Sequence, residues 1–278
     1  AQVVRVEENE NGKALVSHED VDTVILTGSI ETGRLFAGWR ARHAGGPRVF
    51  GETSGKNALV VTPAADLDLA AADLMKSAFG HAGQKCSAAS LGILVGSVGS
   101  SRRFREQLID AVESLRVGWP SDLGTTMGPV IEPPSGKLLK ALTTLEPGET
   151  WLVEPKQLDE TGRLWSPGVK DGVRPGSFFH LTECFGPVLG LMAAEDLDHA
   201  VELQNATDYG LTAGIHSLDA DEILRWVDTV QAGNLYVNRG ITGAIVQRQP
   251  FGGWKKSSVG PGAKAGGPNY VAQMGTWR

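Results

Sequence analysis

The chain has 278 residues, 41% of them hydrophobic and 21% charged, so it can build a packed core and is not a disordered tail, a collagen or a coiled coil. With 26 basic and 32 acidic residues its net charge is −6. This balance, without a basic stripe, argues against nucleic acid as a partner. No apolar run is long enough to form a transmembrane segment.

The two cysteines, Cys86 and Cys184, lie far apart with no CxxC or Cys/His cluster near either. This spacing excludes a disulfide framework and a zinc module, predicts no metal site, and points to a reducing compartment such as the cytoplasm. The 36 glycines indicate many tight turns, where backbone approaches backbone or a ligand.

Strands and helices alternate along most of the chain. The first residues, Val3 to Val6, suggest a short strand, and an acidic loop is predicted over 7–12. Hydrophobic patterning predicts strands at 22–26, 47–50, 58–61, 91–95, 188–193, 211–216 and 234–237, and helices near 30–37, 66–79, 101–115, 196–205 and 219–230. Residues 119–136 and 239–268 are predicted to be loops. This order predicts a mostly parallel, open α/β sheet.

Cys86 is the first candidate for chemistry. It lies in the segment FGHAGQKCS, where Gly83 and Gln84 break a helix, so an irregular turn before a buried strand is predicted. A thiol becomes a nucleophile as the thiolate, which a nearby cation or convergent N–H groups favour. Lys85 is adjacent in sequence but need not be that cation. The alternative interpretation of Cys86 is an inert buried cysteine. Cys184 is interpreted as such an inert cysteine.

Carboxylates provide the next candidates. Glu52 follows a strand and lies among glycines, where partial burial would raise its pKa toward that of a general base; a solvated or capping Glu is the alternative. Glu183 precedes a Gly-Pro turn and could bind a ribose or cap that turn. His81 as a partner of Cys86 is less favoured than a structural His. The turn at Gly28 and Ser29, between a strand and a helix, has a geometry that can present N–H groups to a phosphate.

Taken together, these segments resemble the C-terminal half of the NAD(P)-dependent aldehyde dehydrogenases. The segments that carry the resemblance are TGS at 27–29, ETSGKN at 52–57, GQKCS at 83–87, ECFGPV at 183–188, residues 234–238 and PFGG at 250–253. Their order and spacing agree with the family over nearly the whole chain. The implied fold is aldehyde dehydrogenase-like, with the open, mostly parallel sheet of a catalytic domain and an incomplete, Rossmann-like remnant of the dinucleotide-binding domain.

Within that family, residues 238–253 and 264–271 resemble the Δ1-pyrroline-5-carboxylate dehydrogenases, including the second half of the bacterial bifunctional proline utilisation proteins. This resemblance implies NAD-dependent oxidation of glutamate-γ-semialdehyde to glutamate in proline catabolism. A flavin is expected only on a separate proline dehydrogenase domain, if the parent protein is bifunctional. The parent is also expected to be a homo-oligomer.

The resemblance implies a role for each matching residue. Cys86 would attack the aldehyde to form a thiohemiacetal, and Glu52 would activate the water that hydrolyses the resulting thioester. Glu183 and Phe185 would hold the nicotinamide ribose and ring. Gly28 and Ser29 would lie beside the pyrophosphate.

The substrate carries a free carboxylate, which needs a cation and convergent donors. The resemblance assigns this grip to Lys85 and Ser87, which flank the nucleophile, and to an anchor loop at Ser257, Ser258 and Val259. Phe251 would pack on the aliphatic part of the substrate.

The chain departs from the family pattern in three respects. Ser54 and Ser258 stand where the family usually has Gly, and the family's N-terminal half, which supplies an oxyanion-hole Asn, does not precede Thr27. The expected organisation is a cofactor-domain remnant at 1–54, a catalytic domain at 55–238 and an anchor and return segment at 239–278. Such a fragment is expected to be inactive alone.

Three alternatives remain open at this stage. The parent could act on another semialdehyde, or pass its thioester to coenzyme A, although the water-activating Glu52 argues against the second. The chain could also be a non-catalytic assembly module.

Overall fold

The computed structural model describes residues 1–6, 9–41, 47–260, 262 and 264–275. The chain forms two compact units, one made of Ala1–Ser54 and Ala244–Arg278 and the other of Gly55–Gly243. The predicted boundaries at 54/55 and 238/239, as limits of functional domains, stay a prediction. No helix in the described ranges is long and apolar enough to cross a membrane.

The helices and strands alternate through most of the chain. In chain order they are α1 (Asn9–Val16), β1 (Thr23–Gly28), α2 (Ile30–Ala41), β2 (Arg48–Thr53), β3 (Asn57–Val61), α3 (Leu67–Phe79), β4 (Ala89–Val95), α4 (Arg102–Glu113), α5 (Gly136–Thr143), β5 (Thr150–Val153), β6 (Gly168–Asp171), α6 (Phe178–Leu181), β7 (Val188–Ala194), α7 (Leu197–Asn205), β8 (Tyr209–Gly210), β9 (Thr212–His216), α8 (Ala220–Thr229), β10 (Asn234–Val237), β11 (Trp254–Lys255) and β12 (Ser258–Val259).

The first unit contains a small sheet in the order β1-β2-β12. β1 and β2 are parallel, and β12 runs antiparallel to β2 with Ser258 opposite Glu52. α2 follows β1 directly and packs on β2 and β12. The approach is close because Gly33 has no side chain: a Cβ there would lie 2.8 Å from Val259 Cγ2. This sheet fixes the strand that carries Glu52.

The second unit contains a seven-stranded sheet in the order β10-β9-β3-β4-β7-β6-β5. All neighbouring strands are parallel except β5, which is antiparallel to β6. The interior strand β3 is buried along its whole length, as expected for a strand covered on both faces. Gly92 in β4 lets Leu74 of α3 and Leu191 of β7 approach within 2.9 Å of its Cβ position. The predicted open, mostly parallel α/β sheet is confirmed.

The helix starts follow from the capping residues in the sequence. Asp66, Ser101, Asp196 and Asp219 each accept backbone N–H groups of the first turn of α3, α4, α7 and α8, so these four helices begin where a short polar side chain can satisfy free donors. The helix predicted from Ser101 ends at Glu113, earlier than predicted.

Several short elements were predicted wrongly or missed. Residues 1–6 form no strand, and α1 occupies most of the predicted acidic loop. The structure also adds α5, β5, β6, α6 and β8 between predicted elements, and α5 begins at Gly136, the last residue of a predicted loop. The predicted loop over 239–268 is wrong at β11 and β12, which lie inside it. These elements have two to eight residues, too few for hydrophobic periodicity to distinguish them from loops.

Candidate active site

Cys86 lies on a turn at the amino edge of the seven-stranded sheet, just before β4. The preceding helix α3 is broken by His81, Ala82 and Gly83, which all have positive φ. Cys86 is partly exposed, whereas Cys184 is buried. The predicted irregular turn is therefore confirmed, and of the two thiols it is Cys86 that solvent reaches.

Asn57, the first residue of β3, holds this turn in place. Its buried Nδ2 donates to the carbonyl oxygens of Cys86 at 2.7 Å and of Ala88 at 2.9 Å. Its Oδ1 accepts the N–H of Thr212 at 3.0 Å, and the Thr212 hydroxyl donates to the Ser87 carbonyl at 3.2 Å. Three parallel strands are thus joined at their amino ends around the nucleophile turn, which restricts where the Cys86 thiol can point.

Gly55 and Glu183 pack against the same turn. Glu183 Oε1 accepts the Gly55 N–H at 2.8 Å. A side chain at Gly55 would stand 2.5 Å from the Cys86 carbonyl oxygen and 2.9 Å from the Asn57 amide, so only glycine fits. The Glu183 carboxylate, a candidate ribose acceptor, is in this structure bonded to the backbone beside the nucleophile turn.

Gln84 ties the turn to two other loops. Its Nε2 donates to the Phe185 carbonyl at 3.2 Å, and its Oε1 accepts the Ile131 N–H at 2.9 Å. Phe185 has positive φ and is 36% exposed. A cavity of roughly 330 Å³ lies beside the turn and is lined by residues that include Lys85, Glu183 and Phe185. Ser87 is buried on the turn itself.

Lys56 is a fully buried ammonium beneath this site. Its Nζ has no hydrogen-bond partner among the described residues and lies 4.1 Å from the centroid of the Phe179 ring. Burial lowers its pKa to about 8, against the opposing influence of Cys184 and Glu183. The same burial raises the pKa of the Cys184 thiol, which Lys56 only partly offsets. Cys184 is therefore a protonated, inert thiol, as interpreted from the sequence.

In the first unit, Glu52 lines a cleft of roughly 390 Å³ together with residues that include Ser258, Val259, Lys264 and Tyr270. Its Oε2 is buried without a hydrogen-bond partner. Burial raises the pKa of Glu52 from 4.5 to about 7, although a hydrogen bond from the Gly253 backbone and the charge of Lys264 pull it down. A carboxylate with a pKa near neutrality is suited to accept a proton from water.

The Gly28–Ser29 turn lies at the N-terminus of α2. The Ser29 hydroxyl accepts the Thr32 N–H at 3.1 Å, and the Ser54 hydroxyl accepts the Ile30 N–H at 3.4 Å. The side chain at Ser54, a departure from the family pattern, thus caps the first turn of this helix. The turn before this twelve-residue helix stays a predicted site for a dinucleotide phosphate.

The predicted anchor loop forms part of the small sheet. The Ser257 hydroxyl is buried and donates to the Ser54 carbonyl at 2.6 Å, and its N–H donates to Trp254. Ser258 and Val259 pair with the strand of Glu52 and line its cleft. Phe251 is half-buried and exchanges backbone hydrogen bonds with Ala265.

The structure groups the predicted residues within each unit. Cys86, Lys85, Ser87, Glu183 and Phe185 gather around one turn of the second unit. The first unit contains Glu52 with Ser258 and Val259, and separately the turn at Gly28–Ser29. His81 is exposed on the left-handed turn. Among the described residues, no group of three or more His, Cys, Asp or Glu is placed to hold a metal ion.

The whole chain, residues 1–278, matches the family model described as "Aldehyde dehydrogenase family". The chain belongs to the aldehyde dehydrogenase family. It is 38% identical over 267 residues to a 1-pyrroline-5-carboxylate dehydrogenase of a Geobacillus species, an alignment that covers 94% of this chain and 51% of that protein. The chain thus spans about half the length of the curated aldehyde dehydrogenases that it matches.

Two solved structures of the aldehyde dehydrogenase family show the same fold. Proline utilization A from Corynebacterium freiburgense is 63% identical with a TM-score of 0.93, covering 98% of this chain and 27% of that one. A 1-pyrroline-5-carboxylate dehydrogenase from Thermus with bound NAD is 34% identical with a TM-score of 0.84, covering 95% and 51%.

Sequence reasoning missed the supports of this aldehyde dehydrogenase site. The sequence shows Asn57 only as the last residue of the ETSGKN motif, and it predicts neither the contact with Thr212 nor the bridging hydrogen bonds of Gln84. A polar residue at the start of an otherwise apolar strand is the available signal, since a buried amide needs partners. The sequence does not show what those partners are, because Thr212 lies 155 residues from Asn57.

Proposed function

We propose that the full-length protein carrying this chain oxidises glutamate-γ-semialdehyde to glutamate with NAD. The observation that carries the proposal is the turn at Cys86, where a solvent-accessible thiol is held by Asn57 at the amino edge of an aldehyde dehydrogenase sheet. The substrate is suggested by the names of the relatives, which are 1-pyrroline-5-carboxylate dehydrogenases and a proline utilization A protein.

The proposed chemistry uses two residues of this chain. The Cys86 thiolate forms a bond to the aldehyde carbon, which gives a thiohemiacetal oxyanion. NAD, when bound, accepts a hydride from that carbon, and a thioester on Cys86 remains. Glu52 then takes a proton from a water molecule that attacks the thioester, so the carboxylic acid leaves and the thiolate is restored. With its pKa near 7, Glu52 is partly ionised at neutral pH and can perform this step.

We further propose which groups bind cofactor and substrate. Gly28 and Ser29, before α2, would face the pyrophosphate, and Glu183 and Phe185 would contact the nicotinamide riboside. Lys85 and Ser87 would bind the substrate carboxylate, because they flank the nucleophile on one turn.

The anchor loop would complete the carboxylate site and contact the substrate chain. Ser258 and Val259 would add donors from the anchor loop, and Phe251 would pack on the aliphatic chain. The Ser257 hydroxyl is engaged with Ser54 in this structure, so we assign its contribution to shaping the loop. A homo-oligomeric assembly and a cytoplasmic location stay predictions.

The test compares NADH formation from glutamate-γ-semialdehyde by the full-length protein and by two cysteine variants. Cys86→Ala should abolish turnover, whereas Cys184→Ala, a matched change at the buried thiol, should retain it. Succinate semialdehyde in parallel separates this substrate from other semialdehydes, and added coenzyme A reveals acyl transfer. Wild-type protein without NADH formation on any aldehyde, and with Cys86 inert toward iodoacetamide, would instead support a non-catalytic assembly module.

A further inference from the structure

Lys264 lies beside Glu52 within the first unit. Both side chains approach the point where a Cβ on Gly252 would stand: Glu52 Oε1 is 2.9 Å from it, and Lys264 Cγ is 3.0 Å from it. The absence of a side chain at Gly252 therefore leaves room for both side chains. Both also line the same cleft, so Lys264 lies at the space in which the carboxylate would have to act.

Glu52 needs such a neighbour. Within the part of the chain that the structure describes, its buried Oε2 has no hydrogen-bond partner, and burial of a carboxylate favours the protonated form. Among the described residues that line the cleft, Lys264 has the only cationic side chain, and Tyr270 is the other titratable group. The influence is mutual: Glu52 raises the pKa of Lys264 against the effect of burial, and it also raises the pKa of Tyr270.

We propose that Lys264 is a positioning residue for Glu52: across Gly252, its ammonium keeps the carboxylate ionised and oriented along the cleft. The inference rests on the proposed function, in which Glu52 is the general base of thioester hydrolysis. Lys264 itself touches neither substrate nor reacting atoms. Burial makes the Glu52 carboxylate a stronger base, but it also favours the protonated form, which cannot accept a proton. The positive charge of Lys264 opposes this second effect.

The proposal has a defined pH signature. Lys264 lowers the pKa of Glu52, so removing the charge raises that pKa above about 7 and moves the acidic limb of the kcat profile to higher pH. A neighbouring charge in a partly exposed cleft supports a shift of about 0.5–1 pH unit, or roughly a three- to tenfold loss of kcat below the pKa. At a pH well above the limb, kcat should approach that of the wild type.

The experiment measures kcat against pH in the full-length protein for wild type, Lys264→Met and Lys264→Arg. Lys13→Met is the matched control, since Lys13 is a surface lysine of the same unit whose ammonium pairs with Glu10 in α1 at 3.9 Å. The Met variant should shift the acidic limb upward, the Arg variant should restore most of the shift, and the control should not move. Steady-state hydrolysis of p-nitrophenyl acetate, which acylates a reactive thiol without NAD, should show the same shift.

The outcomes separate the two proposals. A wild type that turns over with an acidic limb unchanged in Lys264→Met overturns the positioning role and leaves the proposed function intact. A wild type without dehydrogenase or esterase activity overturns the proposed function and with it this inference. If Lys264→Met fails to fold, Lys264→Gln, which keeps a polar side chain, replaces it, and the acidic limb of its kcat profile against pH is compared with that of the wild type in the same way.

Discussion

Replacing Asn57 is the most direct test of how the fold holds the nucleophile. Asn57→Ala removes two donated hydrogen bonds, to Cys86 and Ala88, and one accepted from Thr212; the bond to Cys86 is partly buried and the other two are buried. Each such bond contributes about 1 kcal/mol net, and each buried partner left unsatisfied adds a penalty of about 1–3 kcal/mol. The loss of the three bonds alone therefore lowers the free energy of unfolding by about 3 kcal/mol, and every partner that stays unsatisfied increases that loss.

A second variant separates the donors from the acceptor. Asn57→Asp keeps the size of the side chain and the acceptor for the Thr212 N–H, but it turns the donating amide into an oxygen that faces two carbonyl oxygens. We expect a loss close to that of Asn57→Ala, because the two donated bonds hold the turn. Asn205→Ala is the control: this amide also bridges two segments, donating to Thr229 and accepting from Gln231, but both bonds are exposed. Its loss should not exceed about 1 kcal/mol.

The assays are urea denaturation for stability and iodoacetamide alkylation of Cys86 for the state of the turn. In the Asn57 variants we expect faster alkylation, since the freed turn exposes the thiol more often. Turnover should fall by about a hundredfold, because a displacement of about 1 Å is enough for such a loss. Equal destabilisation by Asn57→Ala and Asn205→Ala, or an unchanged alkylation rate, would refute the idea that Asn57 holds the turn.

Two further predictions concern Lys56 and Gly83. Burial lowers the pKa of Lys56 from 10.5 to about 8, so this group destabilises the folded state by about 3 kcal/mol below pH 8, and the penalty fades as the pH rises toward 10.5. Lys56→Met should therefore raise the free energy of unfolding at pH 7, and urea titrations should show a smaller gain at pH 9.5. A gain that does not depend on pH would contradict this explanation. Gly83→Ala should lower the melting temperature strongly, because Gly83 has φ +67° and a Cβ there would clash with the Gly186 carbonyl. Thermal melting followed by circular dichroism measures this loss. Gly38→Ala is the control and should not lose stability, since a Cβ at Gly38 in α2 meets nothing within 4 Å.

The larger part of the fold could be predicted from the sequence because most of its strands have a recognisable local sequence pattern. β3, β4, β7 and β9 are short β-branched or apolar runs between turn residues, and α3 and α4 have polar caps before an apolar face. Parallel order and burial on both faces then follow from alternation with helices. The edge strand β5 and its neighbour β6, by contrast, have four residues each, too few for a local pattern to identify them as strands.

For the candidate site, too, the features with a local sequence pattern could be predicted and those that depend on distant residues could not. Cys86 and Glu52 could be named because each combines a reactive side chain with a helix-breaking or Gly-rich surrounding, and the family motif adds spacing. The values that decide their chemistry could not be predicted. The pKa of Glu52 depends on burial and on Lys264, which is 212 positions away in the chain, and the shape of the Cys86 turn depends on Asn57 and Thr212.

This dependence explains why the nucleophile turn can be irregular and still be well placed. Three consecutive residues with positive φ would leave a free loop with many conformations. Here the amino ends of three parallel strands meet at one edge, and Asn57, bonded to Thr212 and to the carbonyls on either side of Ser87, transfers the rigidity of the sheet to the turn. The position of the Cys86 thiol is thus a property of the sheet, so changes that loosen the edge should reduce stability and turnover together.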